Sequence, residues 1–166
     1  MEVAEGERIS TKENIGYNCF MEIKIITDLT KQPPRSPRVR LGGFVILARS
    51  IDKCRALLAG KIGEYDFDCE LDRRLFDWKG ITGAELKEFV VEGHNDDEIA
   101  AWVRENGAIK TDAEISEWSD DMDVFDYSGD DEGVEWLEQQ IKRLGLPVEA
   151  TLFDYLDADD KASFKK

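Results

Sequence analysis

Phe44, Leu47, Ile51, Cys54 and Leu58 recur at spacings of three, four, three and four residues. That alternation places five apolar side chains on one face of a 3.6-residue helix and excludes a half-buried strand, whose apolar positions recur at every second residue. Gly60 follows where a helix stop is expected. A stripe this long must be covered, so the remaining elements have to pack around it.

Three helix starts downstream meet that need. Thr82 with Glu85, Asn95 with Glu98, and Thr111 with Glu114 each set a cap side chain three residues before an acid that can reach back to the cap. Gly93 and Gly107 stand where left-handed C-terminal glycines belong. The inner faces then read Leu86, Phe89 and Val90, then Ile99, Trp102 and Val103, then Ile115, Trp118 and Met122. A shorter helix is expected over Leu71 to Trp78, with Leu71, Leu75 and Trp78 inward. Another runs from about Asp131 to Leu144, with Leu137, Ile141 and Leu144 inward and Gly145 and Pro147 closing it, and "TLFDYLDADD" makes a last short one. The expected fold is all-α: a compact orthogonal multi-helix domain of about seven short helices over residues 25–166, behind a flexible or extended N-terminal segment, residues 1–24. "EIKII", after Met21, reads as a possible short strand.

"DDEIAAW", "DAEISEW" and "DDEGVEW" share the pattern D-x-E-x-x-x-W, starting at Asp96, Asp112 and Asp130. Spacings of 16 and 18 residues are too short for helical-pair solenoids. Two readings stand: three binding units, or a shared way of starting a helix, with acids at the positive helix end and a tryptophan facing the core one turn after the glutamate.

Charge bounds function more sharply than total composition does. The 166-residue chain has a formal net charge of -15, yet residues 31–61 hold eight basic side chains and one acid, whereas residues 62–166 hold 11 and 30. With a Debye length of about 8 Å at physiological salt, a ligand near residues 31–61 senses the local excess. The acidic remainder repels polyanions and no basic stripe alternates with aromatics, so nucleic acid is not an expected partner. "MEVAEGERIS" is neither a secretory nor a transit signal, and no apolar run approaches a membrane span, so a cytoplasmic protein is expected. Cys19, Cys54 and Cys69 are odd in number without a CxxC pair, which argues against a disulfide framework and against zinc.

Other motifs fail their own requirements. "DDMDVFD" and "DYLDADD" lack the position-6 glycine of a calcium loop, and "RLGGF" and "AGKIGEY" match no phosphate-binding loop, so neither a metal nor a cofactor is expected. His94, the single histidine, follows Gly93 in a helix-to-helix turn with no nucleophile pattern to serve. Cys54 falls on the apolar face, and Cys69 lies between Asp68 and Glu70, which disfavour a thiolate.

The strongest site candidate is "KQPPRSPRVRLGG", Lys31 to Gly43, with three of the four prolines and four basic residues. Ser36 before Pro37 reads as a helix opening, which would set Arg38 and Arg40 beside free N–H groups able to hold a carboxylate or phosphate. Arg35, Arg38 and Arg40, joined by Arg49 and Lys53 on the following helix, form a candidate ligand-binding cluster for an anionic small molecule. The acids of "GEYDFDCELDRR" can face it. An enzymatic branch of this reading would use Glu64, Tyr65, Asp68 or Asp72 as acid or base. Two alternatives stay open: those acids pair with the arginines as internal glue, or the protein is an interaction or regulatory module whose acidic helical surface meets a basic protein partner. Exposure of Trp102, Trp118 or Trp136 favours the module, whereas buried tryptophans and a concave arginine pocket favour the anion site. Oligomeric state is not set by any motif.

The run "DLTKQPPRSPRVRLGGFVILARSIDKCRALLAGKIGEYDFDCELDRRLFDW", with "EIAAWV", "EISEWS" and "FDYLDADD" later in the same order, resembles a bacterial family known as domain of unknown function 5069. The likeness covers most of residues 28–164. A proline is the expected residue after the cysteine of "CELD", where Glu70 stands here. The resemblance implies no activity, cofactor or catalytic residue.

Overall fold

The apolar stripe becomes α1, Leu47–Leu58, and its burial is wider than one face. Every residue from Phe44 to Cys54 is buried, Arg49, Ser50, Asp52 and Lys53 included. A helix enclosed on all sides is a central one, and α2 (Glu70–Lys79), α3 (Gly83–Val91) and α4 (Asp96–Glu105) all pack on it. Leu58, expected on the inner face, is instead 40% exposed together with Leu57. The last turn of α1 runs past the core and borders an open cavity beside α3 that Val91 also lines.

The computed structural model describes residues 28–165; the extension 1–24 and the strand suggested at "EIKII" lie outside them. Seven helices and no strand occur among the described residues, the remaining three helices being α5 (Asp112–Asp123), α6 (Asp131–Leu144) and α7 (Leu152–Ser163). The all-α expectation therefore holds. Thr82, Asn95 and Thr111 form the expected capping boxes, and Thr151 with Asp154 forms a further one. Phe44, Ile51, Leu75, Leu86, Ile99 and Phe153 belong to one apolar core, and Leu137, Ile141 and Ala150 form a smaller cluster between α6 and α7.

The helix start expected at Ser36 and Pro37 does not form. Ser36 Oγ accepts from Arg38 N–H at 3.2 Å and its carbonyl accepts from Val39 N–H at 3.1 Å, a single turn and no more. Gly42 and Gly43 then take φ of 59° and 91°, and Leu41 and Phe44 exchange two 3.0 Å backbone bonds around them. Positive φ at two successive positions cannot continue a right-handed helix, so α1 begins only after the turn. Its N-cap, Ile46, is itself at φ 71°, held there by its N–H on the Pro37 carbonyl at 2.8 Å.

Candidate functional site

The polar side of α1 forms a charged seam inside the fold. Arg35, delivered by the Pro-rich segment, places Nε and Nη2 on the two oxygens of Asp52, at 3.0 and 2.9 Å, and Nη1 on Asp96 at 2.7 Å. Its own backbone N–H also donates to Asp52, at 2.9 Å. Burial opposes the Arg35 charge, but the bonds and charges of Asp52 and then Asp96 raise its pKa above the ordinary value. Arg55 shares Asp96 at 2.6 Å and ties this corner to the His94 carbonyl.

One turn along the seam, Arg49 grips both oxygens of the buried Asp160 at 2.6 and 3.2 Å, and Tyr65 donates its hydroxyl to the same carboxylate at 2.8 Å. Burial, followed by the Asp160 hydrogen bond, raises the Tyr65 pKa, so the phenol stays protonated as a donor. Lys53 lies 2.9 Å from Asp72 and 3.2 Å from Cys69 Sγ, and Asp72 also accepts from Ser50 Oγ at 2.6 Å. Arg38 bonds Asp154 at 2.7 Å, with Asp123 at 3.4 Å, and Arg40 pairs with the exposed Asp120 at 2.6 Å.

The structure thus brings Arg35, Arg49, Lys53, Tyr65 and Asp72 into one seam and sets Arg38 at its edge. Arg40 stands apart on the surface, and Glu64 is exposed. Asp68 turns to Arg73 at 3.4 Å, away from the arginines. Of the acids in "GEYDFDCELD", only Asp72 meets a cation of the cluster; the others that do so are Asp52, Asp96, Asp120, Asp123, Asp154, Asp157 and Asp160. Sequence reasoning missed these partners. Asp52 carried a signal, as the single acid within residues 31–61, and Asp160 shared a helical face with Phe153 seven residues earlier.

Every one of the eight cations between residues 31 and 61 has a carboxylate within 4.0 Å, Lys31 and Lys61 both reaching Asp28. Arg35 and Arg49, whose guanidinium donors already meet carboxylates and backbone carbonyls, offer few unused donors to an added anion, whereas Arg40, bonded only to the exposed Asp120, stays open to solvent. Buried pairs of this kind testify weakly to net stability, but losing one partner strands a charge. The tryptophans divide. Trp102 stacks on Phe89 and Trp118 on Trp78, both half-buried, while Trp136 is 39% exposed. Among the described residues no helix is long and apolar enough to cross a membrane, and no group of three or more His, Cys, Asp or Glu side chains is arranged to hold a metal ion.

The family described as Domain of unknown function (DUF5069) matches residues 31–162, which contain the whole seam, and the chain belongs to that family. No curated protein matches the chain at a significant level.

Proposed function

We propose that this protein is a cytoplasmic interaction module that binds a basic segment of a partner protein through its acidic helical surface. The observation that carries this reading is that each of the eight cations of residues 31–61 has a carboxylate of this chain within 4.0 Å, in buried pairs at Arg49 and Lys53 and exposed ones at Lys31 and Arg40, which leaves the acids of the later helices to set the outer field. Exposed Trp136 among acidic neighbours gives such a surface an apolar contact as well as charge. An anionic ligand at Arg35, Arg38, Arg49 or Lys53 would have to displace carboxylates already at 2.6 to 2.9 Å.

Fluorescence anisotropy with a labelled Arg/Lys-Ser hexapeptide tests the reading. Binding is expected at low salt, weakening steeply between roughly 50 and 300 mM salt as screening shortens the field. Citrate and inorganic phosphate are expected to leave Tm unchanged. Absence of peptide binding, together with a citrate-dependent rise in Tm that Arg38→Ala abolishes, would overturn it in favour of the anion site.

A further inference from the structure

The three D-x-E-x-x-x-W segments are not equivalent in the fold. In the first two, the cap is the residue before the motif, so Glu98 and Glu114 sit at the third helical position and bond back to Asn95 and Thr111. The residue after each glutamate, Ile99 or Ile115, is buried in the core. In the third, Asp130 is itself the cap, accepting from Gly133 N–H at 3.3 Å, and the helix starts one residue later in the motif. Glu132 therefore falls at the second helical position. Its carboxylate closes no capping box and enters no ion pair or side-chain hydrogen bond among the described residues.

Gly133 replaces the isoleucine of the other two segments, and the Tyr127 ring fills the space. A Cβ on Gly133 would sit closer to Tyr127 Cδ1 than van der Waals contact permits. Tyr127 reaches this place through a left-handed backbone, φ 64°, a conformation that costs a tyrosine about 1 kcal/mol or more. Trp136 meets the Tyr127 ring edge-on at 6.0 Å, and the two rings wall an open cleft of about 360 Å3 with Glu70, Asp130 and Glu132 around it. A guanidinium already lies against this aromatic group: Arg74, paired with Glu70 at 3.0 Å, is centred 4.1 Å from the Phe125 ring and 5.3 Å from that of Tyr127.

We infer that this cleft receives an arginine side chain of the basic partner, with its guanidinium against Tyr127 and Trp136 and its N–H donors directed to Glu132 and Asp130. The inference rests on the interaction-module reading and gives that surface its recognition pocket. Arginine fits better than lysine because a planar guanidinium both stacks on aromatic rings and forks onto carboxylates, whereas an ammonium is a strongly hydrated point charge. Arg74 neutralises Glu70, but Asp130 and Glu132 keep the cleft negative. The cleft is open to solvent, which suits a side chain projecting from a passing polypeptide.

The test is titration of the full chain with N-acetyl-arginine methylamide, followed at the Trp136 indole N–H by NMR, with Trp136→Phe assigning the signal. A saturable shift at Trp136, larger than with the lysine analogue and absent at Trp102 and Trp118, is expected. Glu132→Gln, an exposed change that leaves α6 intact, is expected to weaken binding roughly threefold. Should the basic hexapeptide bind while Trp136 stays silent and Glu132→Gln changes nothing, the cleft assignment is overturned and the module reading survives. A Trp136 shift with arginine amide but no hexapeptide binding would instead support the cleft and count against the module.

Discussion

Lys53 Nζ stands 2.9 Å from Asp72 Oδ2 with the two side chains 3% and 0% exposed, the most enclosed ion pair among the described residues. It joins α1 to the first turn of α2, where Asp72 also accepts from Cys69 N–H at 3.3 Å and from Ser50 Oγ at 2.6 Å. The lysine is thus the counter-charge for a carboxylate fixed in place for other reasons.

Lys53→Met removes that counter-charge and strands Asp72. The expected loss is about 3–5 kcal/mol, which for a domain of this size lowers Tm by roughly 10 °C. Adding Asp72→Asn to the same chain removes the stranded charge and is expected to recover part of the loss. Urea unfolding of both singles and the double gives the coupling; simple additivity of the two losses would show that the pair does not act as a unit.

Acid sensitivity follows from Asp96. Burial raises the pKa of this carboxyl, but hydrogen bonds and charge from Arg35 and Arg55 outweigh it and hold the group below its ordinary 3.8. A carboxyl depressed in the folded state contributes stability above its unfolded pKa and loses it as pH falls through the folded value. Unfolding free energy should therefore decline below about pH 4. In Asp96→Asn the protein should be less stable at neutral pH, and the decline below pH 4 should be shallower; an unchanged slope would place the sensitivity elsewhere.

His94 titrates in the opposite sense. Its ring stacks on Phe89 at 3.8 Å between Glu92 at 3.0 Å and Glu98 at 3.3 Å. The Glu92 hydrogen bond, aided by Glu98 and opposed by desolvation, raises its pKa above 6.5. Any stability it adds is present below the unfolded pKa and lost as pH rises through the folded one. Because the chain has one histidine, its Hε1 resonance titrates alone. The midpoint is expected above 6.5 in the wild type and lower in Glu92→Gln.

Local chemistry was legible in the sequence and distant pairing was not. Thr82, Asn95 and Thr111 announce their helices because a cap and its acid lie within one turn. Periodicity marks which face of α1 is apolar, but it does not say which acids the opposite face will meet. Arg49 and Asp160 are 111 residues apart, and Arg38 and Asp154 are 116 apart. The helix start expected at Ser36 is absent for a local reason too, since Ser-Pro is good opening chemistry only if the next turn can stay right-handed. Gly42 and Gly43 prevent that. The third D-x-E-x-x-x-W segment showed its departure in one letter, Gly133 for isoleucine, whose meaning needed the position of Tyr127.

Gly42 offers a way to separate backbone strain from packing in the "LGG" turn. At φ 59° an alanine there would be left-handed, and its Cβ would come 2.8 Å from Ala100 Cβ on α4. The Gly42 carbonyl accepts from Arg104 Nε and Nη2 at 3.0 and 2.7 Å, so α4 cannot back away without breaking those bonds. Gly60 has nearly the same backbone, φ 67°, with nothing within 4 Å of an added Cβ. Gly60→Ala should therefore cost only the left-handed penalty, about 1 kcal/mol. Gly42→Ala should add an overpacking cost of roughly 1–3 kcal/mol to the same penalty. Chemical denaturation of the two variants measures the difference directly. Equal losses would mean that the turn relaxes away from Ala100, and that Arg104 does not pin α4 against it.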